Sequence, residues 1–352
     1  MVNLIKNRII NFLVPIVAVL IALLIGAGII LYLGESPVDA YGYLFKGAFS
    51  GEREIARTLL EATPMIFTGL GVLFAFKGGM FNIGAQGQMM MSGLMAAAIG
   101  GFITNIFISN PIVIMIAGGM AGFLWAAIAG FLKAKLGIHE VISTIMLNYI
   151  AMNFEQYCLN YPLKAPGTNP QTPPVIEFAR LGKIVNVNVP LNYGFIVAIL
   201  AVIVVWFILE KTILGYQIKA VGYNPSAAEN NGINVRLIIV LVLGISGFLA
   251  GMGGVERVLG GVGQFSYKQG LTATYGFDGI AVALLGKNTP IGTLLAAILF
   301  AALRVGGRAM QFNTDVPSQI VIMIQAIIIL LIAAENMIRV WLEKVAKKGE
   351  EI

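Results

Sequence analysis

About ten apolar stretches of near-bilayer length follow one another along this 352-residue chain, with little polar sequence between them. A hydrocarbon core roughly 30 Å thick takes about 20 apolar residues of helix to cross. Inside it only helices and closed barrels satisfy their own backbone hydrogen bonds. The hydropathy predicts helices over roughly 12–34, 56–76, 84–103, 112–132, 141–160, 191–209, 238–258, 271–286, 290–310 and 317–338. Composition agrees, since only 11% of residues are charged and mean hydropathy is +0.87. Soluble proteins carry roughly 25% charged residues. The expected fold is an all-α polytopic membrane protein, one transmembrane domain over residues 1–352.

A net charge of +6 and a pI near 9.3 raise the question of nucleic acid. No basic run alternates with aromatics, so the bilayer is the expected partner and nucleic acid is not. Lys and Arg stand instead at the ends of apolar segments. Lys6 and Arg8 precede the first, Lys133 and Lys135 follow the fourth, and Lys211, Lys219 and Arg236 lie between the sixth and seventh. Lys344, Lys347 and Lys348 follow the last. The positive-inside rule places all of these, and both termini, on the cytoplasmic side. Residues 35–55 and about 161–190 then face outward, and the loop at about 211–237 faces the cytoplasm. The first apolar stretch is too long for a signal peptide and reads as a retained signal anchor. Cys158 is the sole cysteine, which excludes an intramolecular disulfide. The eighth span is short enough to be re-entrant.

Spans two to five and seven to ten can be superposed with an offset of five, which reverses direction and implies inverted repeats. Each set has a glycine-rich break: Lys77 to Gly84 in the first and Gly276 to Gly279 in the second. Small residues one turn apart, Gly118, Gly122, Ala126 and Gly130 and then Gly247 and Gly251, predict close helix packing.

Catalysis is tested by what is missing. His139-Glu140 begins like a zinc-protease helix, but His139 is the only histidine and Ser143 stands where the second would be. No phosphate-binding loop and no strand-turn-helix dinucleotide fingerprint occur. The chain is read as a non-enzyme with no cofactor and no metal.

Polar groups at membrane depth are the candidate solute path. Asn82, Gln86 and Gln88 lie beside glycines that interrupt helix. Asn82 and Gln86, four apart, would share one helical face, with Gln88 pointing elsewhere. They read equally as path groups or as interhelical glue. Asp278 precedes an apolar run, and a carboxylate in mid-membrane costs about 2.5–3.5 kcal/mol on insertion scales. It either faces a cavity or caps a helix beginning at Gly279. Glu155, Glu256 and Arg257 stand near span ends, where snorkelling to water is the simpler reading.

Between spans six and seven, Gly222, Asn224, Pro225, Ala227, Ala228 and Gly232 outline a short capped helix. Asn224 caps it, Pro225 opens it and Gly232 closes it. So short a helix is marginal alone, and its alanines suggest a smooth docking face.

Three blocks together, Phe81 to Gln88, Ala220 to Ala228 and Gly276 to Gly286, resemble the permease subunits of bacterial ATP-binding-cassette importers for branched-chain amino acids, ribose-type sugars and nucleosides. The resemblance covers roughly 56–338, and His139 to Ile150 is similar to the nucleoside (simple-sugar) branch. It implies a bacterial plasma-membrane location, a cytoplasmic ATPase, a second homologous permease and a solute-binding lipoprotein. It also implies that residues around Asn224 to Gly232 form the coupling helix seated on the ATPase. Many relatives carry Glu at the position of Gln86, so an ionised group there is no part of this chain's mechanism.

The expected function is import of a neutral solute, a nucleoside first, by such a permease. A ribose-type sugar permease is the alternative within the family. An ion-coupled secondary transporter working through Asp278 is the alternative outside it, and a structural subunit without a path comes third.

Overall fold

The computed structural model describes residues 2–334 apart from 186 and 273, with side chains from residue 15 onward. Lys344, Lys347 and Lys348, the end of the tenth predicted span and the side chains of Lys6 and Arg8 lie outside the described residues. Among these residues the regular structure is helical, with two isolated bridges, Gln171 to Lys268 and Lys183 to Asn192. The helices are α1 (Val2–Tyr32), α2 (Pro37–Phe49), α3 (Glu52–Lys77), α4 (Ala85–Phe102), α5 (Pro111–Leu136), α6 (Glu140–Asn160) and α7 (Gly194–Lys211). They continue as α8 (Ile213–Tyr223), α9 (Pro225–Asn230), α10 (Val235–Leu259), α11 (Tyr275–Leu285), α12 (Pro290–Asn313) and α13 (Gln319–Ala333).

Each of the ten predicted spans contains one of these helices. Six, within α1, α3, α5, α7, α10 and α12, are long and apolar enough to cross a bilayer by length and composition. The chain is thus an all-α, multi-pass membrane protein. Helix α11 is different. Its 11 residues rise about 16 Å, roughly half of a bilayer core.

Helix starts follow capping chemistry written in the sequence. Ser36, Asn110, Thr212, Asn224 and Asn234 each accept a first-turn backbone N–H, and Pro37, Pro111 and Pro225 occupy early positions where no donor is needed. His139 caps α6 in the same way through Nδ1, 3.4 Å from Val141 N. Helix α2 falls in the segment read only as an outward loop; Ser36, Pro37 and Asp39 were the start signal for it.

The chain divides into two compact units, one of residues 1–50 with 302–352 and one of 51–301. In the first, α1 packs on α13. Helix α2 lies close to the later turns of α12, where a Cβ on Gly47 would meet Ala309 Cβ at 2.2 Å. Tyr41 donates its hydroxyl to Leu23 O at 2.6 Å and ties α2 to α1.

In the second unit α3 and α10 form the centre. The α3 span is 89% buried, whereas the α7 span is 28% buried and presents a largely apolar outer face. Helix α10 packs on α5, α3 and α4, and α11 packs on α3. This arrangement is reciprocal: the first long helix of each proposed repeat lies on the second helix of the other. Such an exchange is compatible with the expected pair of repeats. The small-residue stripes face one another, since a Cβ on Gly122 would lie 2.4 Å from Gly247 O and one on Gly247 lies 2.3 Å from Gly122 O. Backbones therefore touch, which in lipid replaces the missing hydrophobic drive for association.

The position of the second break differs from the sequence expectation. Gly276 and Gly279 lie inside the first turns of α11, not in a break. The interruption is the irregular stretch between Gly260 and Thr274, upstream of them. Glycine there was read as a helix breaker, but it serves to let α11 approach its neighbours.

Gly254→Val is expected to prevent assembly of the α4–α10 pair, because even a Cβ there would lie 2.1 Å from Met89 O. The loss should exceed the about 1–3 kcal/mol typical of overpacking. Gly42→Ala, with open space around it, should leave the melting temperature of the detergent-purified protein unchanged. Equal melting temperatures for the two variants would refute the packing.

Candidate functional site

Two helix breaks converge in the second unit. Helix α3 closes in a left-handed glycine turn: Met80 N–H donates to Ala75 O and Gly79 N–H to Phe76 O, both at 3.0 Å, with Gly79 at φ +69°. The chain resumes helix at Ala85, and Asn82 organises the stretch between. Its Oδ1 accepts from Gly84 N (2.9 Å) and Gln88 Nε2 (3.0 Å). Its Nδ2 donates to Gln88 Oε1 (2.9 Å) and Ser246 Oγ (2.7 Å), and Ser246 donates onward to Gly71 O. Asn82 thereby makes the four bonds its amide allows. The expectation that Asn82 and Gln86 share a helical face is corrected here. Asn82 precedes the helix, and its partner is Gln88.

Gln86 points the other way, to the second break. Its Oε1 accepts from Gly276 N at 3.0 Å and its Nε2 donates to Thr272 Oγ1 at 3.1 Å. A Cβ on Gly276 would lie 2.3 Å from Gln86 N, so the first turns of α4 and α11 touch through backbone. Thr68 Oγ1 lies 3.0 Å from Tyr275 O and Gly279 packs on the Thr68 side chain, which seats α11 against α3.

Asp278 is half-buried in the first turn of α11, and its Oδ2 accepts from Thr274 Oγ1 at 3.0 Å. The helix begins at Tyr275, so Asp278 does not cap it. It sits instead where a carboxylate meets the positive end of the helix dipole.

Sequence reasoning missed one group and misplaced another. Asn148 of α6 serves both sides of the first break, accepting from Gly87 N at 2.8 Å and donating to Ile83 O at 2.9 Å. An amide between Leu147 and Tyr149 in the middle of α6 was the available signal. The second is a set of buried ionisable groups. Glu155, Glu256 and Arg257 do not snorkel, being 2%, 0% and 6% exposed. Glu155 accepts from the Tyr267 hydroxyl and Glu256 from Asn192 Nδ2 (2.8 Å). Tyr275 donates its hydroxyl to Glu61, and the Arg257 guanidinium lies 4.8 Å from the Tyr275 ring centroid. Irregular segments far apart in sequence cover these ends and exclude water, which hydropathy alone does not reveal.

The segment between α7 and α10 holds two helices where one was expected. Helix α9 has the anticipated cap: Asn224 Oδ1 accepts from Ala227 N at 3.0 Å. It closes with Ile233 N–H on Ala228 O (3.1 Å) and Gly232 N–H on Glu229 O (2.9 Å), with Gly232 at φ +80°. Ala228 and, just beyond this Schellman turn, Ile233 are buried, while Ala227 is exposed. The idea of a smooth face made by both alanines is therefore corrected. Preceding it, α8 ends on the first break. A Cβ on Gly222 would lie 2.4 Å from Lys77 O, and one on Gly79 would lie 2.9 Å from Gly222 O. Close by, Glu140 binds Lys133 Nζ at 2.6 Å and the N–H of Phe81 at 3.3 Å.

Residues 54–333 match the model of a family described as branched-chain amino acid transport system / permease component. The chain belongs to that family. Among curated relatives, the guanosine ABC transporter permease protein NupP of Bacillus subtilis is 38% identical, over 97% of this chain and 99% of its own. The nucleoside ABC transporter permease protein NupB of Lactococcus lactis is 36% identical, over 98% and 100%. A glucose ABC transporter permease protein of Haloferax volcanii is 32% identical, over 90% and 86%. No solved structure matches the chain.

Within this permease the Asn82 network is expected to be structural. Asn82→Leu strands the Gln88 amide and the Gly84 N–H in a buried site, at about 1–3 kcal/mol for each unsatisfied group. The melting temperature of the detergent-purified permease should fall clearly below wild type. An unchanged value would mean that the amide stabilises nothing.

Proposed function

We propose that this permease imports a nucleoside, as part of an ATP-driven transporter in a bacterial plasma membrane. The observation that carries this reading is the full-length similarity to permeases named for guanosine and for nucleosides, at 38% and 36% identity. The site supports it chemically. The convergent polar groups are mostly amides, hydroxyls and helix N-termini, suited to a neutral solute that hydrogen-bonds. Two interrupted helices that start against one another, at the interface of two repeats, form the arrangement in which transporters hold cargo near mid-membrane. Gln86 and Asp278 belong to that junction, and Asn82 and Gln88 brace it.

A sugar remains the second reading because the glucose permease relative is 32% identical. Ion coupling through Asp278 loses its support, since membership of the permease family implies an ATPase on a separate chain. The expected partners are that ATPase, a second permease and a solute-binding lipoprotein. The α8–α9 segment and the Lys133–Glu140 turn lie on the side of the ATPase; residues 161–190 face outward.

Coupling follows from the packing. The exposed edge of α9, with Ser226, Ala227 and Glu229, meets the ATPase. Motion there passes through Gly222 to the Lys77–Gly79 turn and on to the α4–α11 junction. Every joint on this route is a backbone contact or a short hydrogen bond, so little displacement is lost on the way.

Two measurements test this reading. Uptake of labelled guanosine, uridine and glucose by cells expressing the complete transporter should show nucleosides carried and glucose excluded. Glucose uptake without nucleoside uptake would transfer the assignment to sugars. For coupling, Ala227→Arg adds a bulky charge to an exposed interface. It should leave the permease folded while cutting stimulation of the ATPase by loaded binding protein about ten-fold. Ala228→Arg, at a buried position, should instead reduce the amount of folded permease. Wild-type stimulation in Ala227→Arg would move the coupling surface to the Lys133–Glu140 turn.

A further inference from the structure

Helix α11 leads through a short turn into α12 and is too short to cross a bilayer, so its first residue, Tyr275, stands at membrane depth rather than at a surface. Residues 260–272 run to it from the end of α10 without forming helix. Non-helical backbone at such depth survives only where protein buries it or where it lines a watery cavity. Here the two ends of the stretch are tied to different partners. At the lower end Thr272 Oγ1 accepts from Gln86 Nε2 at 3.1 Å, at the α4–α11 junction. The upper part is docked on the segment read as facing outward. Thr172 N–H donates to Tyr267 O and Tyr267 N–H to Thr172 Oγ1, both at 3.0 Å, and Val175 N–H donates to Phe265 O at 2.8 Å. The Arg180 guanidinium lies 4.4 Å from the Phe265 ring centroid. Tyr267 is fully buried, with its hydroxyl on Glu155 and its ring against α4, where a Cβ on Gly93 would lie 2.5 Å from Tyr267 Cε2.

We propose that residues 260–272 are the outer gate of the solute path, closed in this structure by docking on residues 172–175 and opened by undocking from them. The stretch is bonded to the outward segment at one end and to the α4–α11 junction at the other, so solute arriving at that junction from outside meets it. The docking is separable. It consists of a few backbone hydrogen bonds and one inserted side chain, Tyr267, unlike the backbone-to-backbone packing that joins α5 to α10. Gln264 and Phe265, next to the docked residues, hold φ +60° and +61°. Residues other than glycine keep such left-handed values only where their surroundings impose them, and undocking lets both relax. Thr272 links the gate to the cargo, because any turn of the Gln86 side chain as solute passes breaks the bond that holds the lower end of the stretch. This inference rests on the path reading above and adds to it the element that closes the path to the outside.

The test locks the gate with a removable bond. Gln171 and Lys268 form an antiparallel bridge between the two docked segments. Such a pair holds its Cα atoms about 4.5–5.5 Å apart, within reach of a disulfide. The complete transporter carrying Cys158→Ser with Gln171→Cys and Lys268→Cys is placed in proteoliposomes with saturating binding protein. Oxidation should abolish uptake and a reductant should restore it, while each single-cysteine variant transports under both conditions. Uptake that persists in the cross-linked protein would overturn the gate, because a merely structural cover tolerates a bond across a contact it never breaks. Loss of binding-protein attachment on oxidation would overturn it too, since the block would then be one of docking. Should the pair fail to assemble or to cross-link, Ser266→Cys in the Cys158→Ser background decides, at a position that is buried while the gate is closed. An impermeant thiol reagent applied from the outer side should label it slowly at rest and several-fold faster during turnover. Equal rates in the two states would overturn the proposal. Guanosine and glucose are both offered and uptake is read with whichever the wild type carries, so the gate and the identity of the solute fail separately. Unchanged uptake in both Gln86→Leu and Asp278→Asn would instead sink the path reading beneath it.

Discussion

A helix interrupted inside a bilayer releases backbone donors and acceptors that lipid cannot satisfy, and the protein must answer for each of them. In this permease the two interruptions answer for one another. Gln86, from the start of α4, takes the free N–H of Gly276 at the start of α11. Asn82 and Asn148 bind the free groups at Gly84, Ile83 and Gly87. The short α11, the close approach of α3 and α10 and the position of the α8 terminus all follow from this mutual solution. Remove it, and neither interruption has a reason to be stable at membrane depth.

The same constraint explains why amides rather than charges populate the centre. An amide offers both donors and acceptors, so one side chain can serve a freed N–H and a freed C=O together. Asn148 does so with Gly87 and Ile83. A carboxylate could have accepted but not donated, and would carry a desolvation cost in addition. Gln86 fits this logic, since its Nε2 has a use in bonding Thr272.

Much of the fold was legible because hydropathy and capping are local. Every predicted span became a helix, and Asn224, Pro225 and Gly232 marked α9 to within a residue. What escaped was tertiary. Nothing near Asn82 in sequence announces Ser246 as its partner, 164 residues away. Arg257 sits three residues from the start of the break at Gly260, where a linear reading expects water. It is instead 6% exposed, with its guanidinium against the Tyr275 ring of α11. Gly276 and Gly279 misled for the opposite reason: glycine permits both chain reversal and close approach, and the sequence does not say which. Ala228 shows the limit of pattern reading on a short helix, because two adjacent alanines face different ways and only Ala228 turns inward.

The meeting of Gly79 with Gly222 constrains how such a permease can diverge. Both surfaces are bare backbone, so no side chain at the joint can be exchanged to adjust its fit. On the coupling route proposed above, a chain adapting to a different ATPase can vary the outer residues of α9, and a chain adapting to a different cargo can vary the α4–α11 junction. The joint between them admits no gradual variation, since any added Cβ separates the two backbones. Partner recognition and cargo recognition can therefore drift independently on either side of a connection that stays fixed.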